Sequence, residues 1–128
     1  AILKRMARDL DLDAELVGMP IFREADGLAM SSRNVYLTPE ERAKVPAIRQ
    51  GLLLVQERLA VGERDAVTLG QLFEKHLAAT LPEARTDYVS FVHPESISPV
   101  ARIDAATLLA VAVFIGTVRL IDNILLEV

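Results

Sequence analysis

The chain has no cysteine, which removes a disulfide frame and any thiolate metal site and fits a reducing cytoplasm. Nor has it an excess of basic charge: 14 Lys and Arg stand against 18 Asp and Glu, a formal net charge of −4. A general basic surface for nucleic acid is thereby excluded. Long hydrophobic runs are also missing. The longest, Leu108 to Gly116, falls far short of the roughly 20 residues a membrane span needs, and reads as a strand buried on both faces. No repeat or low-complexity segment occurs, and no apolar signal core stands at the start. These absences point to a soluble, cytoplasmic protein with no membrane and no nucleic-acid partner.

What is present is enough for one packed core: 128 residues, 52% hydrophobic and 25% charged. Ile2, Leu3, Met6 and Leu10 recur at helical spacing, with Lys4, Arg5 and Arg8 on the other side. A helical pattern already running at Ala1 reads as a piece of something longer. Glu15 to Phe22 is short and apolar, interrupted by Gly18 and Pro20, and predicts a strand, so that helix and strand resemble half of a β-α-β unit. Thr38-Pro39-Glu40-Glu41 has the signature of a helix start, and Pro46 should interrupt the helix it opens. Ile48, Leu52, Val55 and Leu59 mark a second helix ended by Gly62. Leu69, Leu72, Phe73 and Leu77 mark a third, from about Asp65 to Ala79, stopped by Pro82. The segment around Val89 and Phe91 then turns β-branched and aromatic. Two further apolar strands meet at a hairpin around Gly116-Thr117. Helical layer and small antiparallel sheet make an α+β fold.

Between the first strand and Thr38 lies the loop Asp26 to Asn34, D-G-L-A-M-S-S-R-N. Arg33 offers a forked, permanently charged donor set that suits phosphate oxygens. Ser31 and Ser32 add hydroxyls and backbone N–H groups that can line an anion site, and Gly27 lets the loop bend closely. A plainer account is available. Serine and asparagine favour turns, and Arg33 can simply pair with a surface carboxylate.

The wider string Val17 to Arg42, V-G-M-P-I-F-R-E-A-D-G-L-A-M-S-S-R-N-V-Y-L-T-P-E-E-R, closely resembles the pantothenate synthetase family. So do the segment Thr86 to Val100 and the C-terminal run L-L-A-V-A-V-F-I-G-T-V-R-L-I-D-N. The resemblance covers nearly the whole chain. It implies an ATP-dependent ligase that joins pantoate to β-alanine through a pantoyl-adenylate, with ATP and Mg²⁺ as the substrate complex. It also implies that Met30, Ser31, Ser32 and Arg33 form the ATP-binding stretch, counterpart of the K-M-S-K-S loop of class I aminoacyl-tRNA synthetases. Phe22 falls where the family, usually with valine, touches the nucleotide, which leaves a backbone contact. Arg33 is the group expected to support the transition state.

The family's H-I-G-H-like string and its lysine-aspartate-glutamine string do not occur in the chain. The chain thus resembles the C-terminal portion. Residues 1–34 would be the tail of a Rossmann-like α/β nucleotidylyltransferase domain, a helix and strand with the Ser-Ser-Arg loop, and residues 35–128 the C-terminal lid. Such a piece is expected to lack turnover by itself. His76, beside the third helix's apolar stripe, and His93, before Pro94, read as structural, and the two make no metal site. Arg119, Asp122 and Asn123 read as orienting the sheet. Two other readings compete: a non-catalytic binding or self-assembling module with the lid fold, and a piece of a tRNA synthetase, which the acidic balance and the lack of an aromatic-basic surface count against. Homodimerisation through Ile2, Leu3, Met6 and the stretch around Val17 is a further expectation.

Overall fold

The computed structural model describes residues 2–128; Ala1, where the opening helix was expected to be under way, lies outside them. Helix α1 spans Ile2–Asp9, α2 Pro39–Lys44, α3 Ala47–Ala60 and α4 Ala66–Thr80; a 3₁₀ turn covers Ser32–Tyr36. Strands β1 (Ala84–Val92), β2 (Thr107–Ile115) and β3 (Val118–Leu126) form one antiparallel sheet in the order β1-β2-β3. The α+β expectation of a helical layer on a small antiparallel sheet holds.

The local signals act where the sequence puts them. Thr38 closes a capping box: its Oγ1 accepts from the Glu41 N–H at 3.2 Å, and the Glu41 carboxylate accepts from the Thr38 N–H at 2.8 Å. Proline cannot donate in a helix interior, and Pro46 stands between the end of α2 and the start of α3. Ile48, Leu52, Val55 and Leu59 are all buried, as are Leu69, Phe73 and Leu77 of α4; Leu72 is only half-buried, at the margin of the stripe. Between the two helices Gly51 lets the Phe73 ring come close: a Cβ there would sit 2.8 Å from it. The alternate residues Leu109, Val111, Val113 and Ile115 of β2, with Val118, Leu120 and Leu126 of β3, face this helical pair. Gly116 takes φ 54° in the two-residue hairpin between paired Ile115 and Val118.

The N-terminal end differs from expectation in one respect. Residues 15–22 form no strand; all are exposed. An apolar, β-branched segment becomes a strand only beside a partner edge, and among the described residues no strand runs along it. Gly18 and Pro20 further weaken its own preference.

Candidate functional site

Downstream of that segment the chain reverses tightly. Arg23 and Ala29 face each other in an isolated antiparallel bridge. The Glu24 N–H donates to the Leu28 carbonyl at 2.8 Å, the Gly27 N–H to the Glu24 carbonyl at 2.9 Å, and the Met30 N–H to the Phe22 carbonyl at 2.9 Å. Gly27 sits at φ +90°, which L side chains rarely adopt, and the stem of Arg49 lies 3.4 Å from where its Cβ would be. Leu28 is buried in the main core and anchors the turn.

Three side-chain clamps fix this reversal. Arg23 donates to both carboxylate oxygens of Asp122 on β3, at 2.7 and 2.8 Å, and to the Gly27 carbonyl at 3.0 Å. Asp122 is nearly buried, its side chain 5% exposed, and its Oδ1 also accepts the Asn123 N–H at 2.7 Å. The hydrogen bonds from Arg23 to Asp122 raise the Arg23 pKa, against an opposing contribution from burial. Arg42 of α2 forks between Asp26 and Glu24, at 2.6 Å to each. Its bonds hold both carboxyls below their ordinary range. Asn34 donates to Glu24 at 2.8 Å and to the Ala29 carbonyl at 3.2 Å. Its Oδ1 is left buried without a partner, because turning the amide over would aim that oxygen at a carboxylate and a carbonyl.

The stretch Met30 to Arg33 leaves this clamped base and is exposed throughout. Ser31, at φ −151°, caps the 3₁₀ turn by accepting the Arg33 N–H on Oγ at 3.2 Å, so its own hydroxyl hydrogen stays available. Arg33 has no ion-pair partner within 4 Å among the described residues; the plainer account, in which it pairs with a surface carboxylate, is not realised. Phe22 is 78% exposed and Met30 56%. Phe22 meets the loop through its carbonyl. Between loop and β3 lies a cavity of about 260 Å³, lined by Met30, Ser31 and Arg33 on one side and Arg119, Ile121 and Asn123 on the other. A larger hollow of about 440 Å³ between α4 and β1 has Glu74 as its one charged lining residue, and suits no anion.

The remaining expectations fall on structural roles. His76 donates from Nε2 to the Ala47 carbonyl at 3.1 Å, tying α4 to α3. His93 Nδ1 accepts the N–H groups of Glu95 and Ser96, each at 3.2 Å, and caps its turn. Arg119 reaches across β2 to Asp87 of β1, at 3.0 and 2.7 Å, so it braces the sheet. Asp87 is the extra residue of a β-bulge between Thr86 and Tyr88. The sequence reading missed Arg23 as a clamp. Its one readable trace was Asp122, a carboxylate at an inward position of β3 between Leu120 and Leu126.

The fold and this loop define a small α+β domain that presents an unpaired arginine and serine hydroxyls from a rigid base. A family model, Pantoate-beta-alanine ligase, matches residues 1–125. The chain belongs to that family. The pantothenate synthetase of Nitratidesulfovibrio vulgaris (Miyazaki F) is 52% identical over 126 residues, covering 98% of this chain and 44% of that protein. The crystal structure of pantoate-beta-alanine ligase (pantothenate synthetase) from Thermus thermophilus superposes with a TM-score of 0.90 at 41% identity, over 99% of this chain and 45% of that one. A Francisella tularensis pantoate-beta-alanine ligase, complexed with beta-gamma ATP and beta-alanine, has a TM-score of 0.58 over 97% of this chain and 38% of that one, and at 22% identity is alike in fold. The chain spans less than half the length of these relatives.

Proposed function

We propose that this chain is the ATP-clamping C-terminal portion of an AMP-forming ligase that condenses pantoate with β-alanine. Residues 1–34 supply the loop as the tail of the nucleotide-binding domain, and residues 35–128 are the lid. In the reaction a pantoate carboxylate oxygen attacks the α-phosphorus of ATP, the bond to pyrophosphate breaks, and pantoyl-adenylate forms. The β-alanine amine then attacks the acyl carbon and AMP leaves. Arg33, with Ser31 and Ser32, steadies the negative charge that moves onto the departing pyrophosphate. Met30 and the backbone of Phe22 border the nucleotide. Mg²⁺ arrives with ATP as part of the substrate; among the described residues no group of three His, Asp or Glu stands ready to hold a metal.

The observation that carries this reading is Arg33, without a carboxylate partner among the described residues, beside Ser31 at the mouth of a cavity. Family membership supports the ligase chemistry for the longer relatives. Among the described residues no helix is long and apolar enough to cross a membrane, which is consistent with a cytoplasmic enzyme. Calorimetric titration with MgATP tests the loop: binding is expected for the chain and not for Arg33→Ala, while equal binding by both sinks the assignment. Turnover from this chain alone is expected to be nil.

A competing reading is a self-assembling module without catalysis. The exposure of Ile2, Leu3, Met6 and Val17 favours it. Sedimentation showing a stable dimer with no nucleotide response would decide for it.

A further inference from the structure

Strand β1 is the edge of the sheet away from the loop, whose 3₁₀ turn lies against β3. At its far end β1 has a neighbour. The Val100 N–H donates to the Phe91 carbonyl and the His93 N–H to the Ser98 carbonyl, each at 2.9 Å, and Val92 faces Pro99 in an isolated antiparallel bridge. The chain then departs: the Ala101 carbonyl accepts the Ala66 N–H at 3.0 Å, at the head of α4. Because the Phe91 carbonyl points out from the edge, alternation aims the Phe91 N–H and both backbone groups of Val89 the same way. Among the described residues no backbone group meets these three. Nearer the start of β1, the bulge at Asp87 and the charges of Arg85 and Asp87 guard the edge. The open stretch is short, and it borders the hollow of about 440 Å³ between β1 and α4.

The helical wall of that hollow carries Gly70 inside α4. Glycine is a poor helix former, and packing does not require it here. A Cβ at Gly70 would lie 3.7 Å from the Phe91 ring and 3.9 Å from Val89, which is ordinary contact, whereas at Gly51 it would stand 2.8 Å from Phe73. What the missing side chain does is keep the floor of the hollow low. Val67 stands at the rim, 66% exposed. One turn beyond Gly70 comes Glu74, the only charged residue of the lining. No Lys or Arg occupies the helical neighbour positions Gly70, Gln71, Leu77 and Ala78, and Glu74 has no ion-pair partner within 4 Å among the described residues.

We propose that this wedge is a docking groove for an extended peptide, which adds to β1 as a fourth strand where the Pro99–Val100 segment leaves off. The unpaired N–H and C=O groups of Val89 and the Phe91 N–H supply the ladder. A β-branched side chain fills the space above Gly70, and a lysine or arginine of the peptide meets Glu74. The partner is thus a protein segment of mixed apolar and basic chemistry. The groove lies on the opposite edge of the sheet from the Ser-Ser-Arg loop, so the proposal stands or falls independently of nucleotide binding.

The probe is a blocked synthetic peptide of about six residues, alternating valine and threonine with one central lysine, beside a twin with glutamate in place of the lysine. Each is titrated into the chain and followed by amide-resolved NMR. The lysine peptide is expected to shift the amides of Val89, Phe91, Gly70 and Glu74, and to bind about threefold more weakly to Glu74→Gln. Gly70→Ala is expected to raise the thermal midpoint, since the Cβ fits, and to weaken the peptide, since the methyl occupies the floor. A purely structural glycine would lower the midpoint instead, which overturns the role given to Gly70. No response at those amides to either peptide overturns the groove. Equal binding of the two peptides overturns the selection by Glu74. Shifts at Val89 and Phe91 that grow with the concentration of the chain alone would show a second copy taking the edge, and would overturn the peptide as its occupant.

Discussion

Arg23 and Asp122, 99 positions apart, meet in a two-point ion pair with N–O distances of 2.7 and 2.8 Å. The pair ties the base of the Ser-Ser-Arg loop to the last strand of the sheet. Asp122 is nearly buried and Arg23 mostly so, hence removing one partner strands a charge that water reaches poorly. Asp122→Ala is expected to cost about 3 kcal/mol in urea unfolding. The double variant Arg23→Met/Asp122→Leu should recover much of that loss, since no lone charge remains. Equal destabilisation by the single and double variants would contradict a charge-based clamp.

The Arg42 fork makes the loop sensitive to acid. Hydrogen bonds from Arg42, chiefly, depress Glu24 below its ordinary 4.5 and Asp26 below its ordinary 3.8. The folded form then holds its protons less readily than the unfolded chain. The clamp's contribution is complete above those ordinary values and is lost as pH falls through the lower, folded ones. Carboxyl carbon shifts followed by NMR should give midpoints below 4.5 for Glu24 and below 3.8 for Asp26, both returning upward in Arg42→Gln. Ordinary midpoints in the parent chain would refute the fork.

Gly51 tests the helical layer that carries the site. A Cβ there would stand 2.8 and 2.9 Å from two atoms of the Phe73 ring, which is fully buried and has nowhere to go. Alanine gains about 1 kcal/mol of helix propensity over glycine, yet overpacking typically costs about 1–3 kcal/mol. Gly51→Ala should therefore fail to stabilise the chain and should lower its thermal midpoint. A raised midpoint would mean that α3 and α4 pack less closely than described.

Much of this architecture is legible in the sequence because its signals are local. The stripe Ile48, Leu52, Val55 and Leu59, the Thr38 capping box and the Gly116-Thr117 hairpin each lie within a few turns of chain. The segment around Val17 misleads for the converse reason: its composition suits a strand, but pairing depends on a neighbour that composition does not reveal. The Ser-Ser-Arg loop stands out by residue type, and the openness of Arg33 does not. That openness comes from Arg42 and Asn34 occupying Glu24 while Arg42 also takes Asp26, an arrangement set by tertiary contacts. Asp122 was visible only as a carboxylate out of place on an apolar face. Its partner is too distant in the chain for any pattern to name.

The most direct test is a graft. In the Nitratidesulfovibrio vulgaris synthetase, which is 52% identical over the shared 126 residues, the corresponding portion is replaced by this chain and pantothenate formation is measured. The account predicts a working ligase whose kcat falls at least about a hundredfold in Arg33→Ala, the scale expected when a donor to developing charge is removed. A folded graft without activity, or one in which Arg33→Ala turns over as fast as its parent, would contradict it.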